Sequence, residues 1–150
     1  MQQLKLPSDE DFVHILRMGK EFHSKSPYTD MEFDEHRLRS LFDHYLNISR
    51  EQVMFIIAVD DGKPFGMIIG VADQLAFTKD KVSQEIAWWV DEDYRGSKMS
   101  IMLMKAYEDW ARRIGCSHVQ MSAVDPRGVV ARYYKKQGFT ETERSFVKAL

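Results

Sequence analysis

The stretch that decides the fold reads QEIAWWVDEDYRGSKMS and covers residues 84–100. Residues 84–90 are mostly apolar and predict a buried strand, and the acidic, glycine-containing run after them predicts a turn. From residue 98 to 114, apolar side chains recur at helical spacing, which predicts an amphipathic helix. Strand, turn and helix in this order begin a strand-helix-strand unit, whose two strands are normally parallel with a right-handed crossover.

Regular elements are predicted on both sides of this stretch. Upstream, two amphipathic helices precede a hairpin that turns at Asp61-Gly62: helices at residues 9–23 and 34–46, strands at 53–60 and 64–72. Downstream come a strand, a helix closed by Gly138 and a last strand region: residues 118–124, 127–137 and 139 onward. The order predicts an α/β (α+β) fold in one domain, residues 1–150, with a mixed, partly antiparallel central sheet flanked by helices.

The composition fits a single globular domain. The chain has 150 residues, 44% of them hydrophobic, which is enough for a sizeable core. With 21 basic and 23 acidic side chains, the formal net charge is -2. Whole-chain charge therefore argues against a dedicated nucleic-acid binder or a binder of anionic membranes, and neither is an expected partner.

The cysteine and histidine patterns disfavour metal and disulfide chemistry. Cys116 is the only cysteine, so no intramolecular disulfide and no zinc site with several thiolates is possible. The five histidines show no His-Glu-x-x-His spacing, and we expect no metal site. The charged N-terminal residues and the shortness of every apolar run argue against a signal peptide or a membrane span, so a cytoplasmic location is expected.

Charge is distributed unevenly along the chain. Residues 8–35 contain eight acidic and three basic side chains, whereas residues 94–150 contain eleven basic and five acidic ones. A polyphosphate ligand would prefer the second segment and a cationic ligand the first. The alternative is that both are simply solvated faces.

The turn before the predicted helix at residue 98 is the place to look for chemistry. It reads Arg95-Gly96-Ser97-Lys98-Met99-Ser100, and unpaired backbone N–H groups and the positive helix end converge there. A pyrophosphate group fits such a position. An ordinary connection between a strand and a helix, with no ligand, would have the same sequence features. A Walker A lysine loop and a multiple-glycine dinucleotide motif are both absent, which disfavours an ATPase or a Rossmann dehydrogenase.

Three segments in chain order extend this pattern. EIAWWVDEDYRG covers residues 85–96, a long helix carries Trp110-Ala111 before Gly115-Cys116, and YYKKQGF covers residues 133–139. Over residues 53–139 this order resembles the GNAT acetyltransferase superfamily, which uses acetyl-coenzyme A (acetyl-CoA). The resemblance implies a GNAT-like domain with acetyl-CoA as cosubstrate, and central parallel strands that splay near residues 90 and 120 to admit pantetheine.

The resemblance also implies a cofactor site at the strand end and in the loop after it. Its expected residues are Trp89, Val90, Arg95, Gly96, Ser97, Lys98, Met99 and Ser100. Arg95 and Gly96 match the family's loop, whereas Lys98 and Ser100 stand where the family usually has small residues. Lys98 then either adds a charge-assisted contact to a phosphate oxygen or is a solvated surface lysine.

The family's catalytic roles carry over to two residues. Glu85 matches the strand glutamate that removes a proton from the acceptor amine, although a glutamate paired with a lysine is an equal alternative. Tyr134, four residues before Gly138, matches the tyrosine that protonates the leaving thiolate, with Tyr133 expected as a core aromatic. A one-residue error in the helix phase would exchange these two assignments. A backbone N–H of Val90 or Trp89 is expected to polarise the thioester carbonyl.

The resulting function hypothesis is an N-acetyltransferase. It transfers the acetyl group of acetyl-CoA to a primary amine of a small molecule or peptide, by direct attack in a ternary complex. Acidic side chains at residues 24–35 are expected to attract a cationic acceptor. The alternative is a weak or inactive GNAT-fold module that binds a nucleotide or a protein partner, and homodimerisation is a family-based possibility.

Overall fold

The computed structural model describes all 150 residues. The chain divides into two compact units, Met1–Gln120 and Met121–Leu150. The fold is α/β, with four α helices and one mixed sheet of five strands, which confirms the predicted class. That the two units act together as one domain stays a prediction.

The first unit holds all five strands and three of the helices. In chain order these are β1 (Gln2–Lys5), α1 (Phe12–Lys25), α2 (Glu35–Asn47), β2 (Val53–Asp60), β3 (Lys63–Gln74), β4 (Lys81–Val90), α3 (Lys98–Arg113) and β5 (His118–Gln120). The second unit holds α4 (Val129–Lys136). None of the helices combines the length and apolar character that crossing a membrane requires.

The sheet has the strand order β1-β2-β3-β4-β5. Neighbours from β1 to β4 are antiparallel, and β4 and β5 are parallel, as the strand-helix-strand pattern predicts. The hairpin between β2 and β3 turns at Asp61 and Gly62, which have φ values of 45° and 81°. Two positive φ values match the tight turn that follows the twist of paired strands, so the predicted hairpin is confirmed.

The two faces of the sheet carry different helices. Met67 and Ile69 of β3 belong to a core cluster with Ile15 of α1 and Phe42 of α2. Side chains alternate along a strand, so Gly70 belongs to the opposite face, where a β-carbon would lie 2.5 Å from the Tyr107 ring of α3. Helices α1 and α2 therefore cover one face and α3 the other, and only glycine lets Tyr107 approach β3 so closely.

Some boundaries differ from the sequence prediction. A short 3-10 helix (Asp9–Asp11) precedes α1, and β4 begins at Lys81, three residues earlier than expected. Strand β1 was not predicted because its sequence, QQLK, has no apolar alternation. It forms by pairing with the edge of β2 from Gln2 to Lys5, a contact between distant parts of the chain.

The second unit consists of α4 and irregular segments. The side chain of Asp125 accepts hydrogen bonds from the N–H groups of Val129 and Val130 at 2.8 and 3.3 Å, which caps the helix. Gly138, with φ 90°, follows the helix end as predicted. The predicted strand at residues 118–124 is shorter, since β5 ends at Gln120.

The strand region predicted from Phe139 onward is wrong, because residues 139–150 contain no regular secondary structure. Five of its twelve residues are apolar, but the fold offers them no surface to cover. Its apolar side chains are largely exposed, with Phe146 at 92% and Val147 at 62%. A strand there would gain no buried face, and hydrophobic burial is what stabilises most sheet surfaces.

Candidate functional site

Strand β4 loses its parallel neighbour halfway along its length. The pairing with β5 runs from Val82–His118 to Gln84–Gln120, while β4 continues to Val90. The backbone groups on that edge of residues 85–90 therefore have no strand partner. We call this open edge the β4 gap.

The direction of the backbone groups identifies which residue faces the β4 gap. The N–H of Asp91 donates to the carbonyl oxygen of Phe65 on the β3 side, at 2.8 Å. Backbone N–H and C=O groups alternate in direction along a strand, so those of Trp89 also face β3 and those of Val90 face the gap. The Val90 carbonyl accepts a hydrogen bond from Arg95 Nε at 3.0 Å. Of the two predicted oxyanion donors, only Val90 has its N–H directed toward the gap.

Glu85 lies at an irregularity of β4. Gly70 pairs with Glu85 and Ile69 with Ala87, so Ile86 is an extra residue that forms a β-bulge. Bulges bend a strand and redirect side chains, and they are common beside active sites. Glu85 is half-buried and follows directly after the last residue of β4 that pairs with β5.

Tyr107 fastens the two parallel strands where their pairing ends. Its hydroxyl accepts a hydrogen bond from Ser83 Oγ at 2.9 Å and donates one to the Gln120 carbonyl at 3.0 Å. The side chain is fully buried. Burial raises the pKa of the Tyr107 hydroxyl, and the nearby charge of Glu85 raises this pKa further. Tyr107 is therefore a neutral structural link beside the predicted base.

The segment after β4 is held by the carboxylate of Asp91. Arg17 Nη1 and Nη2 donate to its two oxygens at 3.0 and 2.8 Å, and Trp89 Nε1 donates at 2.9 Å. Arg17 Nη2 also donates to the Pro64 carbonyl at 3.2 Å. A bidentate arginine contact fixes geometry as well as charge. It anchors the start of the loop that leads to α3.

The start of α3 presents unpaired backbone donors. Ser97 is the N-cap, and its side chain accepts a hydrogen bond from the Ser100 N–H. The N–H groups of Lys98 and Met99, in the first turn, have no intrahelical acceptor. Gly96 has φ 72°, and a β-carbon there would meet nothing within 4 Å. These groups fit a diphosphate, since the N-terminal end of a helix favours negative charge.

The two departures from the family's loop do not obstruct this site. Lys98 is exposed, so its side chain needs no room inside the loop. Ser100 is buried, and its hydroxyl donates to the Ser97 carbonyl at 2.7 Å. Arg95 is exposed and uses Nε for Val90, so its terminal nitrogens are available to a ligand.

The side chain of Trp89 packs in the core. It is 6% exposed, and its ring lies edge-on to Phe22 of α1 at 6.3 Å between centroids. The guanidinium carbon of Arg95 lies 4.9 Å from the indole centroid, which is a cation–π contact. Trp89 thus ties the loop to α1, and its predicted cofactor contact stays a prediction.

Tyr134 belongs to the second unit. It is buried, its hydroxyl donates to the Ser122 carbonyl at 2.9 Å, and its ring packs 5.6 Å from that of Phe139. Tyr133 is only half-buried, so the expectation that Tyr133 is the core aromatic of this pair is wrong. The phase of α4 turns Tyr134 inward instead. Its role as a proton donor stays a prediction.

Local sequence patterns did not identify three residues that hold the candidate site in place: Arg17, Asp91 and Tyr107. Arg17 and Asp91 are 74 residues apart, and no local pattern links them. The one available signal was an aspartate directly between a buried strand and a glycine loop. No group of three or more His, Cys, Asp or Glu side chains is arranged to hold a metal ion.

The model of the family described as Acetyltransferase (GNAT) family matches residues 15–139. No curated protein sequence matches the chain.

Similar solved structures cover almost the whole chain. A transcriptional regulator from Bacillus halodurans C-125 has a TM-score of 0.82 at 14% identity, with 100% of both chains covered. AAC(6')-Iy in complex with the bisubstrate analogue CoA-S-monomethyl-acetylneamine has a TM-score of 0.79 at 15% identity, with 100% of this chain and 98% of the other covered. Glucosamine-6-phosphate N-acetyltransferase from Arabidopsis thaliana has a TM-score of 0.77 at 12% identity, with 99% and 98% covered. At these identities the likeness concerns the fold.

Proposed function

The chain belongs to the acetyltransferase (GNAT) family, and from this premise we propose that it is an acetyl-CoA-dependent N-acetyltransferase. Its acceptor is a primary amine of a small molecule or peptide, which attacks directly while both substrates are bound. The observation that carries the proposal is the β4 gap, which has the Val90 N–H directed into it and the free N-terminal end of α3 after it. Solved relatives of the same fold include an enzyme bound to a CoA bisubstrate analogue.

Acetyl-CoA would be held mainly by backbone groups. The N–H groups of Gly96, Lys98 and Met99 would bind its diphosphate, with the terminal nitrogens of Arg95 adding charge. The hydrogen bonds that Asp91 accepts from Arg17 and Trp89 support this role, because they fix the start of the loop that carries the backbone donors. Donors that are already in position lose little entropy when a ligand binds. When bound, acetyl-CoA supplies the acetyl thioester.

The chain's own residues would move the protons and stabilise charge. An amine is mostly protonated near neutral pH, so a base must remove a proton before or during attack, and Glu85 is the proposed base. The Val90 N–H would donate to the oxygen that gains charge. Tyr134 would give its hydroxyl proton to the departing thiolate.

A non-catalytic binding module is the alternative. One structure of the same fold is of a protein named a transcriptional regulator, and a fold does not determine an activity. In that case Glu85 would have a structural role. A cytoplasmic location and a homodimer stay predictions under either function.

Two measurements on the purified chain test the proposal. Isothermal titration calorimetry with acetyl-CoA measures binding, and a thiol-release assay over a broad amine panel measures turnover. We expect binding, and thiol release that depends on an amine. Binding without turnover on any amine would favour the alternative, and absence of binding would overturn the cofactor assignment.

A further inference from the structure

A cavity of about 240 Å³ lies between α1, α2 and the sheet. Its walls contain no acidic side chain, no lysine and no arginine, and six of them are aromatic: Phe22, Tyr28, Phe33, Phe42, Tyr45 and Phe55. Tyr28 is 41% exposed and Ile86, which also lines the cavity, is 45% exposed. Because these two wall residues reach the surface, the cavity is open to solvent and is not a sealed packing defect.

The cavity and the proposed base lie on opposite faces of the sheet. Met67 and Ile69 of β3 line the cavity and belong to the core cluster formed with α1 and α2. Glu85 pairs with Gly70, the residue after Ile69, and directly opposite residues of paired strands share a face. Glu85 therefore lies on the α3 face with Gly70. A molecule in the cavity would be bound apart from the reaction site.

The lining of the cavity suits an apolar ligand better than water. Protein interiors contain few voids larger than a water molecule. A buried water needs about two to four polar partners, and apolar cavities stay dry until an apolar molecule enters. Wall atoms that face an empty space also lose the dispersion contacts they would otherwise make. The cavity is therefore complementary to an apolar molecule that enters from the surface.

One polar atom among the wall residues lacks a partner. His23 lines the cavity, and its Nε2 atom is buried and makes no hydrogen bond. The nearby Ser26 Oγ is already used, because it donates to the His23 carbonyl at 2.8 Å and accepts from the Tyr28 N–H at 3.2 Å. Buried polar groups are nearly always hydrogen-bonded. The unpartnered imidazole nitrogen therefore indicates one polar group on an otherwise apolar ligand.

We propose that this cavity is a second small-molecule site, separate from the reaction site, and that its ligand is a small uncharged aromatic molecule with one hydroxyl group. The inference goes beyond the proposed acetyltransferase function and does not depend on it. Phe42 and Phe55 of the wall already meet edge-on, with 5.9 Å between ring centroids, and an aromatic ligand extends such contacts. A dry cavity of roughly 150 Å³ admits benzene, so the volume here is sufficient for a substituted ring.

The hydroxyl group and the absence of charge follow from the same wall. A hydroxyl both donates and accepts, so it can pair with His23 Nε2 in either tautomer of the imidazole. An ammonium or carboxylate group in the cavity would lose its hydration without gaining an ion-pair partner, which is costly. Phenol is the simplest molecule with the required ring and hydroxyl, and it serves as the probe.

The first experiment locates phenol binding with methionine methyl groups. Met67 lines the cavity, whereas the buried Met54 pairs with Gly70 and so lies on the other face. The full chain is titrated with phenol and followed by ¹³C-methyl NMR. The ring current of bound phenol should shift the Met67 methyl signal and leave that of Met54 in place. A Met67 signal that does not move up to about 10 mM phenol, far above the expected dissociation constant, would overturn the proposal.

The second experiment compares ligands by their dissociation constants in the same titration. The panel is phenol, benzene, cyclohexanol, benzylamine and benzoate at neutral pH. Phenol should bind about 2- to 10-fold more tightly than benzene, because of the added hydrogen bond. Benzylamine and benzoate, which are ionised, should bind at least about 10-fold more weakly than phenol, and cyclohexanol a few-fold more weakly because it has no aromatic ring. Equal affinity of phenol and any of the other four would overturn the proposed ligand class.

The third experiment changes the size of the cavity. Ala87 lines it, and Ala87→Leu should raise the dissociation constant of phenol at least about 10-fold by filling the space. Ala87→Val adds less volume and suits a strand, so it should raise this constant a few-fold without lowering the melting temperature. Ala72→Leu, the same change on β3 outside the cavity, is the matched control and should leave phenol affinity unchanged. Wild-type affinity in both Ala87 variants would overturn the location.

The fourth experiment tests the hydrogen bond to His23. His23→Leu should remove the preference for phenol over benzene, and retained benzene affinity would show that the cavity is intact. His14→Leu, on the same helix and also half-buried but outside the cavity, is the matched control and should keep the preference. A preference for phenol that persists in His23→Leu would overturn the assigned hydrogen bond. None of these measurements uses turnover, so they stand apart from any failure of the proposed acetyltransferase function.

Discussion

The two halves of β4 have the same neighbour on one side and different surroundings on the other. Residues 81–84 lie between β3 and β5, and Tyr107 links their end to the β5 backbone through Ser83 and Gln120. Residues 85–90 keep β3 but have no neighbouring strand on the other edge. The first half lies between two strands, whereas the second half, which carries Glu85, has a neighbouring strand on one edge alone.

The difference indicates how unpaired backbone groups of a strand are kept in fixed positions. An open strand edge is normally a liability, because unpaired N–H and C=O groups invite other strands. In β4 the open half is short, and it is fixed at one end by Tyr107 and at the other by the Arg17–Asp91 pair. The unpaired groups are thus held in place by contacts outside the strand, as a preorganised site requires.

The largest effect is expected from Glu85→Gln, in the open half. Loss of the proposed base should lower the single-turnover rate by roughly 10²–10⁴-fold, the range for positioned acid–base groups, with little change in the melting temperature. Gln84→Ala, one residue earlier in the paired half, is the matched control and should keep the rate. Single-turnover kinetics with a saturating amine measures both. A rate for Glu85→Gln within threefold of wild type would remove the base assignment.

Tyr134→Phe should have the next largest effect. The substitution keeps the ring and deletes the hydroxyl, so acetyl-CoA affinity should survive while the chemical step slows by about 10²-fold, at the lower end of the range for acid–base groups because water can replace the hydroxyl. Quench-flow measurement of acetyl transfer separates the two quantities. Full activity here combined with a loss in Tyr133→Phe would exchange the two assignments.

Tyr107→Phe tests the paired half. It leaves the buried Ser83 hydroxyl and the Gln120 carbonyl without their partner, which should cost about 1–3 kcal/mol of unfolding free energy. Urea unfolding at pH 7 measures this loss. A change below about 0.5 kcal/mol would show that the link does not hold β4 and β5 together.

The same variant should also change how the free energy of unfolding depends on pH. Burial and the Glu85 charge raise the pKa of Tyr107 in the folded chain, so above about pH 10 the unfolded chain loses a proton that the folded chain keeps. Fewer bound protons in the unfolded state mean that stability falls as pH rises, by up to about 1.4 kcal/mol per unit for this group. Wild type should therefore lose stability faster than Tyr107→Phe above pH 10. A constant difference between them from pH 8 to 11 would contradict the raised pKa.

Arg95→Ala, a change in the loop that follows β4, should have a smaller effect on acetyl-CoA binding. A charge-assisted contact is worth roughly 1.5–3 kcal/mol, and Arg95 is exposed, so we expect the acetyl-CoA dissociation constant to rise by about 10-fold. Calorimetric titration of Arg95→Ala and of Arg127→Ala, an exposed arginine of the second unit, provides the comparison. Equal affinities in the two variants would assign the phosphate contact to the backbone donors alone.

The smallest effect is expected from the acidic segment before α2. Asp30 and Glu32 are exposed, and their charges act on a cationic acceptor only through a screened field. Asp30→Asn with Glu32→Gln should raise KM for an amine by a few-fold at low salt and leave kcat unchanged. Steady-state kinetics at two ionic strengths tests this, and identical KM values at low salt would remove the recruitment hypothesis.

Most of the fold could be predicted from local patterns. The hairpin at Asp61-Gly62, the helix from Lys98 and the parallel pairing of β4 with β5 all follow from turn residues, apolar spacing and connection rules. The failures are at the ends of the chain. Strand β1 has no alternation of apolar and polar residues that would predict it. The segment from residue 139 onward includes residue types that favour strands, but it has no surface to cover.

The sequence by itself determined the elements of the candidate site: a strand that carries Glu85, a glycine turn and a helix whose first N–H groups are free. These depend on propensity and capping, which act over a few residues. Only the tertiary structure decided that β4 stays unpaired after Gln84, that Val90 rather than Trp89 faces the opening, and that Arg17 fixes Asp91. It also decided that the bulge at Ile86 borders an aromatic cavity. Each of these features depends on strand register or on contacts between residues far apart in the chain, and no local pattern specifies either.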